Sequence, residues 1–138
     1  MRLKTVLVTC CCLGIVAVIL SSGCILTKKP DLVPFTTSST PGAIGYCQRS
    51  NGQLVIMVKN QGNATAPAST TLVEFTPGGQ VFLPTPAIPE GEVVDLTPIS
   101  IPAEAWNPDA DFNIAVDTYN VVNESEEGNN EAQGMCLG

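Results

Sequence analysis

Between Asp117 and Ala132 the chain reads DTYNVVNESEEGNNEA, five carboxylates and four asparagines in sixteen residues. Calcium takes about six to eight oxygen ligands, and Asp117, Glu124, Glu126, Glu127, Asn129 and Asn130 could supply them if the loop folds back on itself. The spacing departs from an EF-hand, because Tyr119 and Val121 stand where ligands two and four positions after Asp117 belong. A structural reading accounts for the same residues without a cofactor. Asp117 ends a strand, Val121 and Val122 cross the open end of a core, Gly128 takes a positive φ, and Asn129 and Asn130 bond their own backbone. The expectation is that no metal is needed, with calcium as the alternative. Other chemistry is sparse. Asp109 and Asp111 could flank a sugar bond, yet they sit beside a proline at a strand entry, where aspartate bonds nearby amides. Trp106 and Tyr119 could stack on a sugar ring, although a single tryptophan ahead of a strand more often plugs the end of a sandwich. The sequence holds no histidine, which removes the Ser-His-Asp triad and most zinc, copper and haem ligand sets. No glycine loop suited to phosphate follows a strand and opens a helix. Catalytic residues are therefore expected to be none.

The N-terminus supplies an address. MRLK is basic, TVLVTCCCLGIVAVIL is apolar throughout and SSGC brings small residues to a cysteine, the order of a secretory signal. A retained signal anchor is the other reading. Leu20-Ser21-Ser22-Gly23-Cys24 resembles a bacterial lipobox, although Ser21 replaces the usual leucine three places before the cysteine. Cleavage is expected between residues 23 and 24, with Cys24 taking the lipid. Two or three acyl chains hold a protein on a membrane where one does not. The expected organisation is a signal peptide over 1–23, a lipidated tether over 24–30 and one domain over 31–138.

Of six cysteines, Cys10, Cys11 and Cys12 leave with the signal and Cys24 is the anchor. Cys47 and Cys136 remain, and in an exported domain such a pair reads most simply as a disulfide; free thiols or an intermolecular bridge are the alternatives. Loss of Arg2 and Lys4 leaves four basic against thirteen acidic residues, a net charge of −9. Nucleic acid is not an expected partner, since it selects basic surfaces. Lys28 and Lys29 follow the lipid site and either touch anionic headgroups or belong to a solvated linker. Asn63 and Asn123 begin N-x-S/T sequons, and in a lipoprotein of this kind they read as turn residues.

These candidates must be carried by strands, because period-2 patterns dominate and helical periodicity is hard to find. Seven segments fenced by glycine, proline or asparagine stand out: 31–35, 53–59, 69–75, 80–83, 92–101, 111–118 and 131–137. Phe112, Ile114 and Val116 alternate with Asn113, Ala115 and Asp117, giving one apolar and one wet face. Leu54 to Val58 is apolar throughout and reads as a central strand covered on both sides. Pro98 demotes 92–101 to an edge or bulged strand. The number and spacing fit an all-β immunoglobulin- or fibronectin-III-like sandwich of about seven strands. In that arrangement the last strand lies along the first and brings Cys136 near Cys47.

Two stretches resemble the cell-adhesion-related domain found in bacteria, CARDB. Val58-Lys59-Asn60-Gln61-Gly62-Asn63-Ala64-Thr65-Ala66 matches its strand-to-turn hallmark. Ile114 to Asp117, with the run Asn120 to Asn130, matches its second, and the Pro30 to Val33 opening fits as well. The resemblance covers nearly all of residues 30–134. It implies an immunoglobulin-like sandwich on an exported protein, with an adhesive or binding role. The single copy and the added Cys47/Cys136 pair depart from the common pattern. The expectation is an exported, lipid-anchored protein of the cell envelope, with a non-catalytic module that meets a protein or polysaccharide partner. A calcium-stabilised or carbohydrate-binding accessory domain of an envelope enzyme system is the alternative.

Overall fold

The structure is a computed structural model that describes residues 27–37 and 45–138. The signal segment, its cleavage site and Cys24 lie outside the described residues. Among the described residues, nine strands follow in order: β1 (Leu32–Phe35), β2 (Gln48–Ser50), β3 (Gln53–Val55), β4 (Met57–Asn60), β5 (Ser69–Phe75), β6 (Gly79–Thr85), β7 (Val93–Asp95), β8 (Ala110–Ala115) and β9 (Glu131–Cys136). One turn of 3-10 helix, Ala103–Ala105, precedes β8.

The strands form two layers. In the first, β4 is central between β1 and β7. It continues β3, which carries β2 and bridges to Ile99 through Leu54. The second layer is antiparallel, in the order β6-β5-β8-β9. Alternation decides which side chains face inward. Leu54, Ile56 and Val58 of the first layer meet Val73, Phe75, Phe112, Ile114 and Val116 of the second in one buried cluster. Each such side chain stabilises the fold by about 1.5–3 kcal/mol through burial. The fold is thus the expected all-β sandwich.

Most of the expected strands hold their places, and β5 coincides with 69–75. The 92–101 segment shrinks to β7 at a sheet edge, with only Ile99 bonded beyond Pro98. The run through Leu54 to Val58 is central, but Met57 is only half-buried, so its outer side is not fully covered. The sequence reading omits β2, a short polar strand in Gln48-Arg49-Ser50.

Cys47 precedes β2 and Cys136 ends β9; their sulfurs are 2.02 Å apart and their Cα atoms 5.2 Å. The disulfide therefore crosses from one layer to the other. One expectation changes, since β9 forms its ladder with β8 and no ladder among the described residues joins it to β1. The bridge closes a loop with a sequence separation of 89, which the chain-entropy model equates to about 4–5 kcal/mol. Reduction, or Cys47→Ser with Cys136→Ser, should lower the melting midpoint accordingly. A thiol count on the denatured, unreduced domain should find neither cysteine reactive, and two reactive thiols would refute the bridge.

Candidate functional site

Both sequence hallmarks converge on the chain where it enters β1. Gln61 donates its amide to the Asp31 carbonyl (2.8 Å) on the β4 side, so the amide and carbonyl of Leu32 point off the open edge of the sheet. Leu32 is fully buried, and leaving those groups unpaired would cost about 1–3 kcal/mol each. The acidic loop supplies partners: Glu124 Oε2 accepts from the Leu32 amide at 2.9 Å. With its amide oriented to suit its neighbours, Asn130 donates to the Leu32 carbonyl (3.1 Å), Glu124 Oε2 (3.2 Å) and Asn129 Oδ1 (2.9 Å). Two side chains thus take the place of a neighbouring strand.

The other hallmark holds the opposite flank. Asn60 is fully buried; its Oδ1 accepts from the amides of Asp31 and Gly62, both at 3.1 Å. Its Nδ2 donates to the carbonyls of Ala64 (2.8 Å) and Ile88 (2.9 Å). Asn63 exchanges two bonds with Lys29, through its own amide (3.0 Å) and through Oδ1 (2.8 Å). A Cβ on Gly62 would lie 2.5 Å from backbone atoms of Lys29, Pro30 and Asp31, so only glycine permits this approach.

The rest of the acidic loop serves the same end. Asp117, buried and at φ 48°, accepts from the amides of Val121 (3.2 Å) and Val122 (2.8 Å). Glu127 Oε1 accepts from the Glu124 amide (3.0 Å), Glu126 Oε1 from Gly128 (3.1 Å), and Asp31 Oδ1 from Asn129 (2.9 Å). Lys29 Nζ reaches Asn123 Oδ1 (2.7 Å) and the Glu124 carbonyl (3.2 Å), which fixes Lys29 to the fold instead of leaving it in a solvated linker. Four details differ from expectation. Asp117 lies buried in the turn after β8 and does not end the strand on a wet face. Val122 enters the core but Val121 is 62% exposed. The positive φ values fall on Asp117 and Asn120 and not on Gly128. Asn129 and Asn130 bond Asp31, Glu124 and Leu32 rather than their own backbone.

Of the six calcium candidates, Asp117, Glu124, Glu126 and Glu127 each hold a loop or strand amide, while Asn129 and Asn130 donate into the same network. Among the described residues, no group of three or more Asp, Glu, Cys or His side chains is placed to hold a metal. Asp109 Oδ1 accepts from the Gly138 amide (3.1 Å), and Asp111 is exposed on β8. Trp106 packs half-buried on the core at the start of β8, with the Arg49 guanidinium 5.3 Å above its ring. Tyr119 lies beyond the other end of β8, so the two stacking candidates are not brought together. It is 63% exposed and parallel to Phe82, which is 49% exposed; the planes are 3° apart and the centroids 6.1 Å. Phe82 is not among the candidates that the sequence suggests. The signal for it is Val81-Phe82-Leu83, because three successive apolar residues in a strand must send one outward.

Glu124 is 3% exposed. Burial pushes its carboxyl up to about 7, opposed by the Leu32 hydrogen bond and aided by the charges of Glu127 and Asp117. The native state then holds a proton that the unfolded chain, with an ordinary value of 4.5, has released. Stability is fully present below about 4.5 and falls as pH rises through about 7. Melting midpoints from pH 4.5 to 8 should show this fall, and Glu124→Gln should flatten it. Glu124→Ala should cost about 1–3 kcal/mol throughout by orphaning the Leu32 amide. Because the loop carboxylates already have partners, millimolar calcium should leave the midpoint unchanged; a rise abolished by Glu127→Gln would make the loop a calcium site.

The family model for CARDB matches residues 29–134. Among solved structures, the chain is similar to the 272–376 domain of a Methanosarcina acetivorans protein described as a cell surface protein. That domain is 19% identical, with a TM-score of 0.60 over 79% of this chain and 91% of that one. The chain is also similar to the CARDB domain of a Pyrococcus furiosus protein, in complex with di-metal ions. There the identity is 20% and the TM-score 0.44, over 80% of this chain and 94% of that one. No protein of curated function matches the chain. The matched span begins at the lead into β1, contains both of the loops that hold it and runs into β9, and the chain belongs to the CARDB family.

Proposed function

We propose that this chain is an exported lipoprotein whose CARDB domain acts as a binding and adhesion module at the cell envelope. Acyl chains on Cys24 hold it to the membrane, and it performs no chemistry of its own. The observation that carries the reading is the Cys47–Cys136 disulfide, since such bonds persist in oxidising, exported compartments. The lipobox-like stretch ending at Cys24 and the cell-surface description of the Methanosarcina acetivorans domain agree with it. Lys29 is already tied to Asn63 and Asn123, and five extended residues span at most about 18 Å, so the domain would stand close to the bilayer. A non-catalytic role suits a chain without histidine whose buried acids, Asp117 and Glu124, hold backbone amides.

Membrane fractions of the native host should contain the chain with an acylated N-terminal peptide that begins at Cys24. Cys24→Ser should move it to the soluble fraction or leave it as an uncleaved precursor. A mature peptide that begins elsewhere and carries no acyl group would sink the anchor.

A further inference from the structure

The outer face of the β6-β5-β8-β9 sheet is not used by the core. Pairing places its outward side chains in rows. Phe82, Leu72, Ala115 and Glu131 lie in one, and Gln80, Glu74, Asn113 and Gln133 in the next. A shallow, open groove crosses this face, lined by Leu72, Glu74, Asn113, Thr118, Glu131 and Gln133 among others. Thr118 is held there by its amide on the Thr70 carbonyl (2.9 Å). The next residue, Tyr119, stacks with Phe82 at the β6 side.

We propose that this face binds an uncharged polysaccharide, whose sugar rings lie along the groove and stack on the Phe82–Tyr119 pair. The proposal rests on reading the domain as a binding module and adds the class of its ligand. Sugars present apolar C–H faces and hydroxyls that both donate and accept. Exposed aromatic rings suit the first, and a row of amides suits the second. Charge argues against polyanions. Of the four basic side chains among the described residues, Lys29 is bound to Asn123, Arg49 covers Trp106, Lys59 lies over Phe35 in the other layer, and Lys28 is in the N-terminal lead. The face is thus without cations and carries Glu74 and Glu131, so it repels a polyanion. A basic peptide is the weaker fit, because only two of the eight side chains in the rows are charged. One of those, Glu74, already accepts from Gln80 Nε2 at 2.9 Å.

The test is affinity electrophoresis of the full chain, in a detergent without a sugar headgroup, through gels containing mannan, xyloglucan, dextran, hyaluronate or poly-lysine. The expected result is retardation by at least one of the three neutral polymers and none by hyaluronate. Phe82→Ala and Tyr119→Ala should each weaken it about tenfold, with the chain still folded and its melting midpoint lowered by only a few degrees through loss of the ring stack. The proposal is overturned if none of the neutral polymers retards the chain, if the double variant is retarded as strongly as the parent, or if poly-lysine alone retards it. A blank in these gels leaves the Cys24→Ser fractionation untouched, so failure of the ligand class and failure of the anchor are separable.

Discussion

A strand at the edge of a sheet has one set of backbone groups with no neighbour, and in β1 this set is buried. Leu32 cannot turn its outward amide and carbonyl to water because its residue is enclosed. The chain meets this demand from far away in sequence, with Glu124 and Asn130 reaching the edge from the loop before β9. Much else follows from that need. Asp117 must gather the amides of Val121 and Val122 so that the loop turns in time. Gly62 must lack a side chain so that the Asn60 turn can press against the other flank.

This division of labour explains why so acidic a segment is a poor guide to activity. Its buried carboxylates hold backbone amides, and the close approach at Gly62 lies at the end of a strand, where one of the family's hallmarks sits. The outward positions of the second sheet carry none of this work. A binding surface can be built there without touching the β1 edge.

The sandwich was legible because burial writes itself into alternation. In β8 the alternation of Phe112 and Ile114 with Asn113 is also the pattern of inside and outside, but Asp117, expected on the wet face, is buried in the turn that follows. What stayed hidden was set by contacts across the chain. β2 has no apolar face in Gln48-Arg49-Ser50, and it is a strand because β3 pairs with it. Glu124, Glu126 and Glu127 look alike in sequence, yet one is buried and the others exposed, since only the first faces the β1 edge. Asn60 reads as an ordinary turn former, but its four bonds require Ala64, Ile88 and Asp31 to arrive from separate elements. Val81-Phe82-Leu83 marks Phe82 as the outward residue of its strand, but its pairing with the Tyr119 ring depends on a turn far along the chain.

The disulfide has a mechanical meaning. Covalent closure between Cys47 and Cys136 makes a ring that contains every named strand except β1. Tension entering through the N-terminal lead reaches β1 before any strand inside the ring. Among the described residues, β1 is the one strand that covalent closure leaves outside. The asparagine and glutamate contacts along its two flanks are what resist its peeling, and a domain held by one end against a fixed ligand would carry its load there.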